Sequence, residues 1–164
     1  AGLRSAYYPD AKGAQPEYGF HHTDNGSDPN VSDVISWVKT GSALVGNEND
    51  LAGTPHRVRF MIEPGLEGAS EALVKAWRLY GIPEDFDSKE VEPVLLSSHV
   101  AGFDCRVAWQ KVDGEIEWLE EWEKTNQLPM AVELTLFLEP LEEADEPIEL
   151  KRIVGIPVAH QAWK

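Results

Sequence analysis

The stretch "HRVRFMIEPG", residues 56–65, alternates with a period of two. Val58, Phe60 and Ile62 share one side; Arg57, Arg59 and Met61 share the other. Successive side chains of a strand point to opposite faces, so the pattern predicts a half-buried antiparallel strand stopped by Pro64-Gly65. "DVISWVKTG", residues 33–41, reads the same way, with Ile35 and Trp37 opposite Val34 and Ser36. In "MAVELTLFLEP", residues 130–140, one face is Val132, Leu134, Leu136 and Leu138. Leu128-Pro129 leads into it, and proline suits a strand's start because it has no N–H for the ladder.

Other segments need context. "EALVKAWRLYG" fits helix or strand by periodicity, but it follows a turn beside a strand and is read as the hairpin partner. "VLLSSHVAGFDCRVAWQ" is read as one helical turn followed by a strand from about Gly102 to Gln110, with Asp113-Gly114 as the hairpin turn after it. "IELKRIVGIPVA" is the last strand. Six or seven strands are expected, separated by loops such as "SALVGNENDLAGTP" and "GIPEDFDSKEVEP". Residues 1–32 are rich in Gly, Pro, Asp and Asn and read as an extended loop after the end of a helix at Ala1 to Tyr7. The organisation expected is therefore residues 1–32 as helix end and loop, and residues 33–164 as an antiparallel β domain.

Composition narrows the functional classes. The chain has 164 residues, 42% of them hydrophobic, enough for one packed domain. Lys and Arg number 14 against 29 Asp and Glu, a net charge of -15. Such a surface repels nucleic acid and suits cationic partners. The single Cys105 excludes an internal disulfide and reads as a small buried apolar residue. No stretch of 18 apolar residues occurs. The first residue is Ala rather than Met, which reads as a processed or shortened product.

Candidate chemistry is sparse. "DNGSDPN" groups Asp24, Asn25, Asp28 and Asn30, oxygen ligands of the kind calcium takes, and Asp24 and Asp28 are the calcium candidates. The spacing lacks that of a full calcium loop. His21-His22 has no neighbouring Cys or His to complete a zinc set. Glu115, Glu117, Glu120, Glu121 and Glu123 read as a solvated face, with nothing to single out an acid–base pair. There is no nucleophile elbow and no phosphate-binding glycine loop. No catalytic residues are expected, and no cofactor beyond the calcium candidate. Trp118 and Trp122 are four apart: either a packing pair or an exposed carbohydrate platform.

The order of features carries a resemblance. "ISWVKTG", "HRVRFMIEPG", "LVKAWR", "LLSSHVAGFDCRVAW", a W-x-x-x-W, "LPMAVELTL" and "IELKRIVGIPVA" follow one another over residues 31–158. The set resembles the soluble domain of the J-type minor pseudopilins of the bacterial type II secretion system, and "LRSAYYPD" looks like the end of that family's long N-terminal helix. The resemblance implies an α+β, mostly β, pseudopilin-type fold of two packed antiparallel sheets with the end of a truncated N-terminal helix. It implies a non-catalytic scaffold at the pseudopilus tip, used to export folded proteins. Its partners would be the I-type and K-type minor pseudopilins and the H-type nearby. The domain would lie in the periplasm of a Gram-negative bacterium, held to the inner membrane by a helix missing from this sequence. The alternative reading is a periplasmic or extracellular β-sandwich carbohydrate-binding module.

Overall fold

The computed structural model describes residues 2–9, 16–26, 30–65, 68–140 and 146–159. Among the described residues nine strands form two antiparallel sheets. The first contains β1 (His21–Thr23), β2 (Val34–Lys39), β3 (His56–Pro64), β4 (Ser70–Arg78) and β5 (Val94–Ser97), side by side in chain order. The second contains β6 (Val100–Gln110), β7 (Ile116–Leu119), β8 (Ala131–Leu138) and β9 (Ile148–Gly155), in the order β7-β6-β8-β9.

The α+β, pseudopilin-type assignment is overturned. The described helical pieces are three single 3-10 turns, Leu3–Ser5, Pro16–Tyr18 and Asp50–Gly53, and the architecture is all-β. Among the described residues, the helix end expected up to Tyr7 is reduced to the single 3-10 turn Leu3–Ser5. Ala6 is extended (φ -52, ψ 138) and bridges Lys39, while Tyr7 N–H donates to Val38 O at 2.9 Å. The segment thus continues the strand network instead of a helix. Pro9 disfavours helical backbone at Tyr8, and Leu3, Ala6 and Tyr8 are all buried.

Two further expectations change. Val94–Ser97, read as a helical turn, is the edge strand β5, because the free edge of β4 supplies backbone partners that no local pattern reveals. The polar His21–Thr23, read as loop, is the edge strand β1, held by its register with Val34–Ser36. "EALVKAWRLYG" does pair as the hairpin partner of β3, with Phe60 opposite Val74 and Arg59 opposite Lys75. Asp113-Gly114 sits in the β6–β7 turn, where Gly114 has φ 90, a value glycine adopts without a Cβ clash.

Alternation decides which residues form the core. Ile35, Trp37 and Val58 of the first sheet meet Phe103, Cys105, Val107 and Val132 of the second, all buried. Phe60 and Phe103 touch edge to face across the layers, with centroids 4.7 Å apart. The sheets are also joined by backbone. Phe103 N–H donates to Val31 O (2.7 Å), and Asp33 N–H donates to Phe103 O (2.9 Å). The fully buried Asp33 carboxylate accepts from His22 Nε2 (3.0 Å), Asn25 N–H (2.8 Å) and Cys105 N–H (3.0 Å). A buried carboxylate is tolerable only when its lone pairs are satisfied in this way.

Candidate partner interface

One end of the two-sheet stack is sealed. Trp122 is 4% exposed and lies edge-on to Trp109 at 5.6 Å, with Lys124 Nζ over the Trp109 ring at 4.7 Å. Leu128 is fully buried. The segment from Lys124 to Leu128 is clamped to the N-terminal region: Phe20 N–H donates to Gln127 O (2.8 Å), and Tyr8 Oη–H donates to Asn126 O (3.2 Å). Gly19 passes so close that a Cβ there would sit 1.7 Å from Thr125 O.

The two tryptophans therefore do different things. Trp118, in β7 opposite Ala108, is 36% exposed, with the Arg106 guanidinium 5.9 Å from its ring. Trp122 faces the interior. No shared exposed platform exists. Glu120 pairs with Arg106 at 3.6 Å and Glu117 with Lys111 at 3.5 Å. Arg106 also holds Glu133 at 2.6 Å, and Lys151 reaches the same carboxylate at 3.7 Å, so the outer face of the second sheet is an ion-pair lattice.

The calcium candidates are only partly visible. Asp24 accepts from Gly26 N–H at 2.7 Å, a local turn, and Asp28 lies outside the described residues. Among the described residues no group of three or more His, Cys, Asp or Glu is arranged to hold a metal ion. Burial, and next the Asp33 charge, push the Cys105 thiol well above its ordinary range, so it stays an un-ionised core residue.

The other end is open. Register puts Leu134 and Leu136 of β8 on the same face as Val132, pointing toward the first sheet, and carries that face onto Ile148, Leu150 and Val154 of β9. Val132 is fully buried, yet Ile148 and Leu150 are 46% and 48% exposed. From the first sheet, the edge strand β5 contributes Val94 and Leu96, at 54% and 42%. Between the sheets lies an apolar groove of about 190 Å³, lined by Trp37, Phe60, Leu96, Leu134, Leu136 and Val154 among others. Leu44, held at φ 74, also lines it. Such a backbone angle is costly for a β-carbon-bearing residue and marks a position the surrounding fold imposes.

No sequence motif pointed to this groove. Each strand was legible as amphipathic, but nothing in β8 or β9 reports whether the opposite sheet extends far enough to cover it. The class the fold and site define is an all-β, two-sheet domain with one sealed end and one open apolar cleft. No protein-family model matches the chain, and no curated protein matches it.

Proposed function

We propose that this domain is a non-catalytic docking module that binds protein partners in the open cleft between its sheets. The observation that supports it is the incompletely covered inward face of β8 and β9, where Leu136 lines the groove and Leu150, on the same face, is 48% exposed. Contiguous exposed apolar surface rimmed by charge is the form protein interfaces take. The occupant is an apolar segment of a partner protein flanked by Lys or Arg, which the net charge of -15 attracts.

The finer proposal follows the ordered motifs of residues 31–158. The partners are the I-type and K-type minor pseudopilins of a type II secretion system, with the H-type adjacent, and the place of action is the periplasmic tip of the pseudopilus. This proposal needs no helix among these residues, since contact is assigned to the cleft. Carbohydrate binding is less well supported, because Trp122 is withdrawn from the surface.

Size-exclusion co-elution with the soluble I-type and K-type domains, at tens of micromolar and moderate salt, tests it. A complex that forms with wild type and fails with Leu136→Glu supports both levels. Folded partners that never co-elute would sink the pseudopilus assignment. A complex indifferent to Leu136→Glu would move the interface elsewhere.

A further inference from the structure

A second cavity, of about 360 Å³, lies on the opposite side of the first sheet from the cleft. Its walls are His21 and Thr23 of β1, Ser36 of β2, Arg57 and Arg59 of β3, and Trp77 of β4, with Ser88 at its rim. The polar groups include two guanidinium groups, which only donate, and three hydroxyls, which can donate or accept, and among the described residues no carboxylate. Among the described residues no carboxylate forms an ion pair with Arg57 or Arg59, in a chain with 29 acidic residues.

Arg57 is 6% exposed, and its three hydrogen bonds all go to neutral acceptors: Ser36 Oγ (3.2 Å), Glu17 O (2.7 Å) and Gly19 O (3.1 Å). Arg59 Nε is buried with no acceptor. Register sets Lys75 directly opposite Arg59, a like-charge cross-strand pair of the kind that destabilises a sheet. Lys75 Nζ donates to Lys89 O at 2.6 Å, again a neutral group. Three cations are thus gathered on one face with no anion among the described residues to balance them, at a cost to stability that a ligand would offset.

The loop between β4 and β5 carries Glu84, Asp85, Asp87, Glu90 and Glu92, and none of them lines the cavity. The loop is instead pinned by Phe86 against Trp77 (6.4 Å between centroids) and by the Lys75–Lys89 bond, and it presents the hydroxyl residue Ser88 to the cavity. Desolvation, and then the Arg57 charge, lower His21 to about 4 against a hydrogen bond to the Thr125 backbone, so at neutral pH its ring adds no charge to the cavity.

We propose that this cavity binds a small oxyanion, a phosphate or a carboxylate, between Arg57 and Arg59. Arg59 Nε supplies the donor that has no acceptor, Arg57 and Lys75 add charge, and Trp77 covers whatever the anion is attached to. The site is independent of partner docking, since it lies on the other face of the sheet.

The test is titration of the whole chain with inorganic phosphate and, separately, with succinate, each against chloride at matched ionic strength. Readouts are the Arg side-chain Nε–H and His21 ring resonances by NMR. Saturable shifts confined to these groups are expected, with Arg59→Gln weakening the affinity about ten- to a hundredfold. Lys75→Gln, farther from the core, should weaken it less while leaving the melting temperature unchanged or raised. The stronger of the two probes identifies the ligand class. Absence of saturation by either probe overturns the proposal, and so does saturation that neither variant alters.

Discussion

The sealed and open ends of the sandwich are built from the same kind of strand and behave in opposite ways. At the sealed end Val132 of β8 is completely buried, covered by the first sheet and the Trp122–Leu128 segment. Two and four residues along the same strand, on the same face, Leu134 and Leu136 line an open groove. What differs is the cover. The chain from Lys124 to Leu128 crosses one end, and the N-terminal segment is locked to it through Phe20 and Gly19. At the other end a lone 3-10 turn, Leu3–Ser5, packs against β2 and β9 and fills only part of the gap. Amphipathic strands dictate a two-layer structure; they do not dictate that the layers have equal extent.

The largest expected effect comes from opening the sealed end. Trp122→Ala should lower stability by about 3–5 kcal/mol in chemical denaturation, as truncation of a buried aromatic ring does. A variant that melts like wild type but loses a ligand would restore the platform role for this residue. Next is Gly19→Ala. A methyl group forced against the Thr125 carbonyl must push two backbones apart, and a loss of about 3 kcal/mol is expected, at the upper end for overpacking. An undiminished melting temperature would show that the clamp between Gly19 and Thr125 contributes little.

At the open end the expectation reverses. Leu136→Glu should change stability by about 1 kcal/mol or less, because the side chain is only partly covered, yet it should abolish binding in the cleft. A loss comparable to that of Trp122→Ala would mean that the two ends are equally closed in solution. The smallest effect is expected from pH. The folded state holds His21 at about 4, whereas the unfolded chain protonates near the ordinary value of about 6.5. Between those limits the unfolded state binds more protons, so stability is full above about pH 6.5 and falls as pH is lowered toward 4. His21 is an exposed residue, and solvent screening keeps the slope shallow. Denaturation midpoints at several pH values for wild type and His21→Gln check it; equal slopes would mean that neither burial nor the Arg57 charge lowers His21 in the folded state.

Much of the secondary structure was legible locally. The β3 alternation of Val58, Phe60 and Ile62 requires only that one face be buried, and its Pro64-Gly65 stop is a backbone property. Asp113-Gly114 likewise marks its own turn. The expected helix end at Ala1 to Tyr7 failed because seven residues carry too little pattern to oppose a β-bridge from Ala6 to Lys39. β1 and β5 were missed because edge strands are defined by a neighbour's free hydrogen-bonding groups, not by their own residues. The candidate sites were less legible still. Trp118 and Trp122 looked equivalent, and the cover over one ring separated them.

Composition and periodicity by themselves determined that this chain forms a strand-rich, acidic domain with inward-facing Ile35, Trp37, Val58 and Val132, because these follow from side-chain transfer free energy and a two-residue repeat. Only the tertiary structure decided that Lys75 joins Arg57 and Arg59 on their face, with no counterion among the described residues, and that Leu136 lines an open groove with Leu150 paired beside it on the same face. Both depend on strand register and on where distant segments end, and no local stretch of sequence encodes the distance between residues that meet only after folding.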